Sequence, residues 1–194
     1  MSAGRPAVFL DRDGTINADQ GYVSKIEDLS FLDGVIEGLT LLSQASFVLV
    51  IITNQGGIAR GFHSDDDVAR FHAEMARVLG SNGVQISDFY YCPHQIDGFI
   101  PEFAIECECR KPGLALYREA IATHEIDVTR SHAIGDKLTD LEGPEKLGIP
   151  GLWLVEQESG PDEPQTELHV RRVRGLLDAA RIITSTDDVS GAVS

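Results

Sequence analysis

Basic residues, cysteines and long apolar runs are all scarce in this chain of 194 residues. Against 31 Asp and Glu there are 16 Lys and Arg, a formal charge of −15. That balance argues against DNA or RNA as a partner, because nucleic-acid binding rests on neutralising phosphates with basic side chains. No apolar run approaches a membrane span; the longest, residues 47–52, is strand-sized. The first residues lack the basic region and apolar core of a signal peptide, so a cytoplasmic protein with no membrane partner is expected. The three cysteines, Cys92, Cys107 and Cys109, are too few and too close together for a disulfide framework. The single Trp, Trp153, sits in a strand-like run and reads as core. With no internal repeat and no second composition block, residues 1–194 are expected to form one domain and a monomer.

Strand-sized apolar runs at 7–10, 47–52, 88–91, 132–134 and 152–155 alternate with segments of helical spacing. Val35, Leu39, Leu41 and Leu42 mark a first helix, and Val68, Phe71, Met75, Val78 and Leu79 a second. Ser64 opens the second, and Asp65, Asp66 and Asp67 behind it read as capping and dipole complement rather than as a metal site. A third helix is expected over 114–123, with Pro112 suited to its first position, and a fourth over 138–147. The pattern predicts an α/β fold: a parallel sheet flanked by helices in three layers. Residues 156–167, rich in Glu, Pro and Gly, read as a mobile acidic connection. A short helix carrying Val170, Val173, Leu176 and Leu177 is expected to follow, then an edge strand over 181–184.

Open parallel sheets gather their chemistry at the carboxyl ends of their strands, and four segments converge there. The first run delivers Asp11 and Asp13 into a Gly14-Thr15 turn. Two close carboxylates repel unless a cation bridges them or one holds a proton, and oxygen ligands with room for water suit Mg²⁺. The functional reading is that one Asp attacks a phosphoryl group while the other shuttles the proton. After the second run, Thr53-Asn54-Gln55-Gly56-Gly57 offers a hydroxyl, amides and glycine-freed N–H groups to phosphoryl oxygens. Arg110 and Lys111 supply adjacent cations, and Asp136 brings another carboxylate that could complete a Mg²⁺ site with Asp11.

Cys92-x-His94 and Cys107-x-Cys109 make a closed set of three thiolates and one imidazole, which suits a structural Zn²⁺. One ion would clip the 92–109 loop at its ends and order the irregular stretch 95–106 over the active edge. The other histidines, His63, His72, His124, His132 and His169, have no partner spacing and receive no catalytic role.

In this order, the segments Leu10-Asp11-Arg12-Asp13-Gly14-Thr15, Thr53-Asn54-Gln55, Arg110-Lys111-Pro112 and Gly135-Asp136-Lys137 resemble the four motifs of the haloacid dehalogenase superfamily of phosphohydrolases. Gly21-Tyr22-Val23, Gly57-Ile58-Ala59-Arg60-Gly61 and the Cys/His loop are similar to its branch acting on a heptose bisphosphate. The resemblance covers about residues 7–155 and implies a Rossmann-like sheet without an inserted cap. It implies Asp11 as nucleophile, Asp13 as general acid and base, and Thr53 and Lys111 as phosphoryl stabilisers. Mg²⁺ would be held by Asp11, Asp136 and the Asp13 backbone carbonyl. Arg110 would recognise substrate, and Asp19, Gln20, Gly21, Tyr22, Asn54, Gln55, Gly56 and Lys137 would line a sugar phosphate site. Gly56 stands where these enzymes commonly carry Ser, and Gln20 where His is frequent. Two alternatives stay open: a phosphatase for histidinol phosphate or another small monoester, and an inactive zinc-stabilised binding module.

Overall fold

The computed structural model describes residues 4–156 and 168–190. Strands β1 (Ala7–Leu10), β2 (Val48–Asn54), β3 (Asp88–Cys92), β4 (His132–Gly135), β5 (Gly151–Val155) and β6 (Arg171–Val173) form one sheet. Its order is β3-β2-β1-β4-β5-β6, and every pairing is parallel. The connecting helices are α1 (Val35–Gln44), α2 (Asp65–Ser81), α3 (Ala115–His124), α4 (Thr139–Lys146) and α5 (Leu176–Ser190). Side-chain alternation divides β1 cleanly. Val8 and Leu10 pack with Leu39 of α1, Phe71 and Met75 of α2 and Ile183 of α5. Ala7 and Phe9 pack with Leu116 and Tyr117 of α3 and Leu141 of α4 on the opposite face. Both faces are covered, which is why the central strands read as continuous apolar runs rather than alternating ones. Trp153 is core, as its strand-like setting suggests.

Chain order reverses direction in the sheet between β1 and β4, and the crevice outside their carboxyl ends is where open α/β sheets bind ligands. The expected second strand is longer than its apolar run. Thr53 and Asn54 pair with Tyr91 and Cys92, so these polar residues are held in the ladder rather than in a following loop. Ser64 and Asp67 form a reciprocal capping box on α2, as the sequence pattern suggests. Only residues 55–64 separate β2 from α2, too few for an inserted domain. No helix among the described residues is long and apolar enough to cross a membrane.

Three expectations are corrected. Pro112 does not open the third helix: the Glu108 carbonyl takes the Ala115 N–H at 3.0 Å and the Arg110 carbonyl takes the Gly113 N–H at 2.7 Å, so a turn precedes α3. Of the expected helix carrying Val170, Val173, Leu176 and Leu177, only Leu176 and Leu177 are helical, at the start of α5; Val170 precedes strand β6, and Val173 lies in it, aligned with Val155 on the open edge of β5. The expected edge strand over 181–184 lies inside α5, where Leu176, Ala179, Ala180 and Ile183 are buried at i, i+3, i+4 and i+7. In runs this short the period distinguishes helix from strand poorly, and the free sheet edge decides. Residues 157–167 of the expected acidic connection lie outside the described residues.

Helices α1 and α5 approach closely at Gly38, where a Cβ would stand 2.5 Å from Leu176 Cδ2 and 3.1 Å from the Leu177 Cα. Gly38→Val is expected to destabilise the protein by about 1–3 kcal/mol through overpacking, read from urea unfolding at neutral pH.

Candidate active site

Asp11 follows β1 directly, and its amide N–H donates to the Ile134 carbonyl of β4 at 2.9 Å, which places the side chain at the switch point. Gly14, at φ +88°, turns the chain sharply and donates to the Asn17 carbonyl at 2.8 Å. The result is a cavity of about 500 Å³ lined by Asp11, Asp13, Thr53, Arg110, Lys111 and Asp140, with Asp19, Gly21, Tyr22 and Lys137 toward its rim. Asn54, Gln55 and Thr139 complete the lining. Gln20 and Gly56 are outside it; Gly56 lies behind, against Gln95 and Arg110.

Lys111 is 4% exposed, yet its ammonium donates to Asp11 Oδ1 at 2.5 Å and to the Ile52 carbonyl at 2.7 Å, and forms an ion pair with Asp140 Oδ1 at 2.8 Å. Burial alone would lower the ammonium's pKa, but Asp11 and Asp140 together hold it raised, so Lys111 stays charged. Asn54 fixes the segment that carries it, accepting from the Lys111 N–H at 2.9 Å and donating to the Lys111 carbonyl at 3.2 Å. Arg110 reaches back from the same segment to the His94 carbonyl at 3.0 Å.

Carboxylate oxygens of Asp11, Asp136 and Asp140 lie within 4.8 Å of one another. Burial, reinforced by Asp140, Asp136 and Asp13 and opposed by Lys111, pushes the Asp11 carboxyl up to about 8. Burial likewise raises Asp136 to about 6, with Lys137 opposing. A buried all-oxygen cluster of this kind fits a hard divalent cation, whose charge would remove the mutual repulsion. Asp140 is committed elsewhere, with Oδ1 on Lys111 and Oδ2 accepting the Lys137 N–H at 3.0 Å. Asp11 and Asp136 stand beside it in the same cluster.

The four zinc-type donors also converge. Cys109 Sγ lies 3.1 Å from Cys92 Sγ, 3.3 Å from Cys107 Sγ and 3.2 Å from His94 Nδ1, while Cys92 Sγ and Cys107 Sγ are 3.6 Å apart. Those separations resemble the edges of a small tetrahedron, the shape of a closed four-ligand site. Cys92 ends β3, so one corner is anchored in the sheet. Loop 95–106 is pinned besides by the Phe99 and Ile100 N–H groups on the Ala59 carbonyl and by the Arg60–Asp97 ion pair at 2.5 Å.

Three residues here had no role assigned from sequence. Asp140 lies in the first turn of α4, four residues beyond Asp136, which stands in the bend between β4 and that helix. Arg12 stands between the paired aspartates and is fully buried, which an Arg accepts only beside carboxylates and carbonyls. His72 is in contact with it, Arg12 Nη1 donating to His72 Nε2 at 3.1 Å.

A parallel sheet with paired aspartates after β1, a hydroxyl at the end of β2, a buried lysine and an acidic turn after β4 has the architecture of a haloacid dehalogenase-like hydrolase. Comparison with known proteins agrees. The family model described as Polynucleotide kinase 3 phosphatase matches residues 7–139, and one described as HAD-hydrolase-like matches 108–173. The D-glycero-beta-D-manno-heptose-1,7-bisphosphate 7-phosphatase of Photorhabdus laumondii is 44% identical over 142 residues, 73% of this chain and 76% of that protein. The Escherichia coli K12 protein of the same name is 38% identical over 167 residues, 86% of this chain and 87% of its own. The crystal structure of D,D-heptose 1,7-bisphosphate phosphatase from B. bronchiseptica, complexed with magnesium and phosphate, superposes with a TM-score of 0.79 at 27% identity, covering 93% of this chain and 99% of that one. The chain belongs to the haloacid dehalogenase-like phosphatases, in the family of D-glycero-beta-D-manno-heptose-1,7-bisphosphate 7-phosphatases.

His72 adds an acid sensitivity to the site's framework. Burial first, then the Arg12 guanidinium, lower its pKa to about 3. The unfolded chain, with an ordinary imidazole, takes up the proton first, so stability present at neutral pH is lost as pH falls below about 6.5. The loss from this group is expected to be about 2 kcal/mol by pH 5. His72→Gln, which keeps an acceptor for Arg12, is expected to flatten that part of the slope in urea unfolding at pH 5 and pH 7.

Proposed function

We propose that this chain hydrolyses the 7-phosphate of D-glycero-D-manno-heptose 1,7-bisphosphate, leaving the 1-phosphate in place. The observation that carries this reading is the joining of Asp11, Asp13, Thr53, Lys111 and Arg110 in one cavity, in a chain whose relatives bear that enzyme name. Alkyl phosphates hydrolyse so slowly that most of the barrier reduction must be electrostatic.

Asp11 attacks phosphorus with a carboxylate oxygen, forming an aspartyl-phosphate as the bond to the C7 oxygen breaks. Asp13 gives its proton to that leaving oxygen, then takes a proton from the water that attacks phosphorus in the second step, freeing inorganic phosphate and Asp11. The Lys111 ammonium and the Thr53 hydroxyl hold phosphoryl oxygens beside Asp11. Enzymes of this family use Mg²⁺; here Asp11, Asp136 and the Asp13 backbone carbonyl would hold it, and it would supply positive charge against the phosphoryl oxygens. Asp19, Gly21, Tyr22 and Lys137 form the open side of the sugar site, and Arg110 suits bidentate contact with the second phosphate. Cys92, His94, Cys107 and Cys109 would hold a structural Zn²⁺ that fixes the chain just before Arg110 and Lys111.

A substrate panel with Mg²⁺, comparing both anomers of the bisphosphate with histidinol phosphate and p-nitrophenyl phosphate, tests the assignment. The bisphosphate is expected to have the highest kcat/KM, Asp11→Asn to abolish turnover with the fold intact, and EDTA to suppress activity. Arg110→Ala should raise KM for the bisphosphate at least about tenfold while changing p-nitrophenyl phosphate little. A preference for histidinol phosphate would remove the heptose assignment and leave the phosphatase.

For the Cys/His set, about one zinc per chain is expected in the purified protein by elemental analysis. Cys109→Ser should reduce zinc content severalfold and increase proteolysis within 95–106. A fully active wild-type preparation without zinc would contradict the structural role.

A further inference from the structure

Asp13 is held in a way that substrate binding does not require. Its Oδ1 accepts from Arg12 Nε at 3.0 Å and Asn17 Nδ2 at 2.9 Å; its Oδ2 accepts from Arg12 Nη2 at 2.8 Å and Gln55 Nε2 at 3.0 Å. Four donors on two oxygens leave the carboxyl little freedom to rotate, and the paired Arg12 contacts set its plane.

The donors are themselves fixed from behind. Arg12 is 0% exposed and does not line the cavity. Its Nη2 also reaches the Val23 carbonyl at 2.8 Å and Gln55 Oε1 at 3.2 Å, its Nη1 reaches His72 Nε2, and its guanidinium lies over the Phe71 ring at 4.7 Å. Arginine has no acceptor, so His72 Nε2 must accept and the imidazole carries its proton on Nδ1. The His72 ring is in turn stacked on Phe89 at 4.7 Å, and it too is absent from the cavity lining. Gln55 lines the cavity, but its two amide hydrogens go to Asp13 Oδ2 and, at 2.8 Å, to Thr53 Oγ1, while its oxygen accepts from Arg12. That leaves it no N–H for a sugar. The amide orientation is fixed, because a donor-only arginine and a carboxylate cannot exchange places across it.

We infer that Arg12, Gln55 and His72 are positioning residues for proton transfer by Asp13: a buried cradle running from Phe89 of β3 through His72 and Arg12 aims this carboxyl at the leaving oxygen. The inference rests on the proposed role of Asp13. It removes Gln55 from the substrate contacts and gives Arg12 and His72 a function in the reaction.

A leaving group that needs no proton provides the test, since a purely structural defect lowers all substrates together whereas a misplaced acid spares the activated ester. kcat/KM is measured for p-nitrophenyl phosphate and for the bisphosphate, using the full chain with Mg²⁺ and checking each variant by thermal unfolding. Asp13→Asn is expected to lose about 100-fold or more on the bisphosphate relative to p-nitrophenyl phosphate. Arg12→Lys, which keeps the charge but not the fork, and His72→Leu, which strands the Arg12 Nη1 donor, are expected to show the same selective loss at about tenfold. His72→Gln restores the acceptor and should stay within about twofold of wild type on both substrates. If Arg12→Lys does not fold, the His72 pair decides. Equal loss on both substrates, or no difference between His72→Leu and His72→Gln, overturns the cradle and leaves the phosphatase reading intact. An Asp13→Asn variant without leaving-group selectivity instead overturns the role of Asp13 itself.

Discussion

The buried ammonium of Lys111 is the interaction on which the rest of the site depends. A charge nearly without solvent is tolerable only where opposite charge and hydrogen bonding replace water, and here Asp11, Asp140 and the Ile52 carbonyl do so. The dependence runs both ways. Asp11 and Asp140, themselves buried, need the lysine as much as it needs them. Each comes from a different part of the chain: Asp11 from the end of β1, Asp140 from the start of α4, Lys111 from the loop before α3. One ion-pair triad therefore ties three crossovers of the sheet together at its carboxyl edge.

Delivering Lys111 to that point is a harder problem than delivering Asp11. Asp11 rides on a strand hydrogen-bonded on both sides, whereas Lys111 arrives at the end of a stretch without regular structure, residues 93–114. Two devices shorten the effective length of that loop. The Cys/His set brings residues 92–94 and 107–109 together, two residues before Lys111, and Asn54 clasps the Lys111 backbone from the end of β2. A side chain that sequence places among substrate contacts is, in its geometry, a clasp for the lysine. The proposed zinc would thus act on the chemistry only through distance, by fixing where Arg110 and Lys111 begin.

Legibility in the sequence follows the range of the interactions. The central strands, the helices α1 to α4 and the Ser64 cap were readable because burial on both sheet faces and local capping leave periodic or punctuated patterns. Asp11, Asp13, Lys111 and Asp136 were readable because each stands at a strand end or beside a second signal of its own. The C-terminal elements were misread because β6 is three residues long and is specified by the open edge of β5, which no local pattern announces. His72 and Arg12 failed for a related reason. Their contact spans 60 residues, and a histidine on the buried face of an amphipathic helix gives no local sign of whether it meets an arginine or a leucine.

Two aspartates two residues apart receive opposite surroundings, and that separation is what lets one segment carry two tasks. Asp11 faces Lys111 and the other carboxylates, an environment matched to a nucleophile beside a bound cation. Asp13 is turned away from that cluster and engaged by neutral amides and a guanidinium, with its side chain still 19% exposed toward the cavity. Had both side chains stood in one setting, their charges would have competed for the same cation. The residue between them does the separating. Arg12 holds Asp13 through Nε on Oδ1 and Nη2 on Oδ2, apart from the carboxylate cluster, so the spacing of the motif and the identity of its middle residue act as one device.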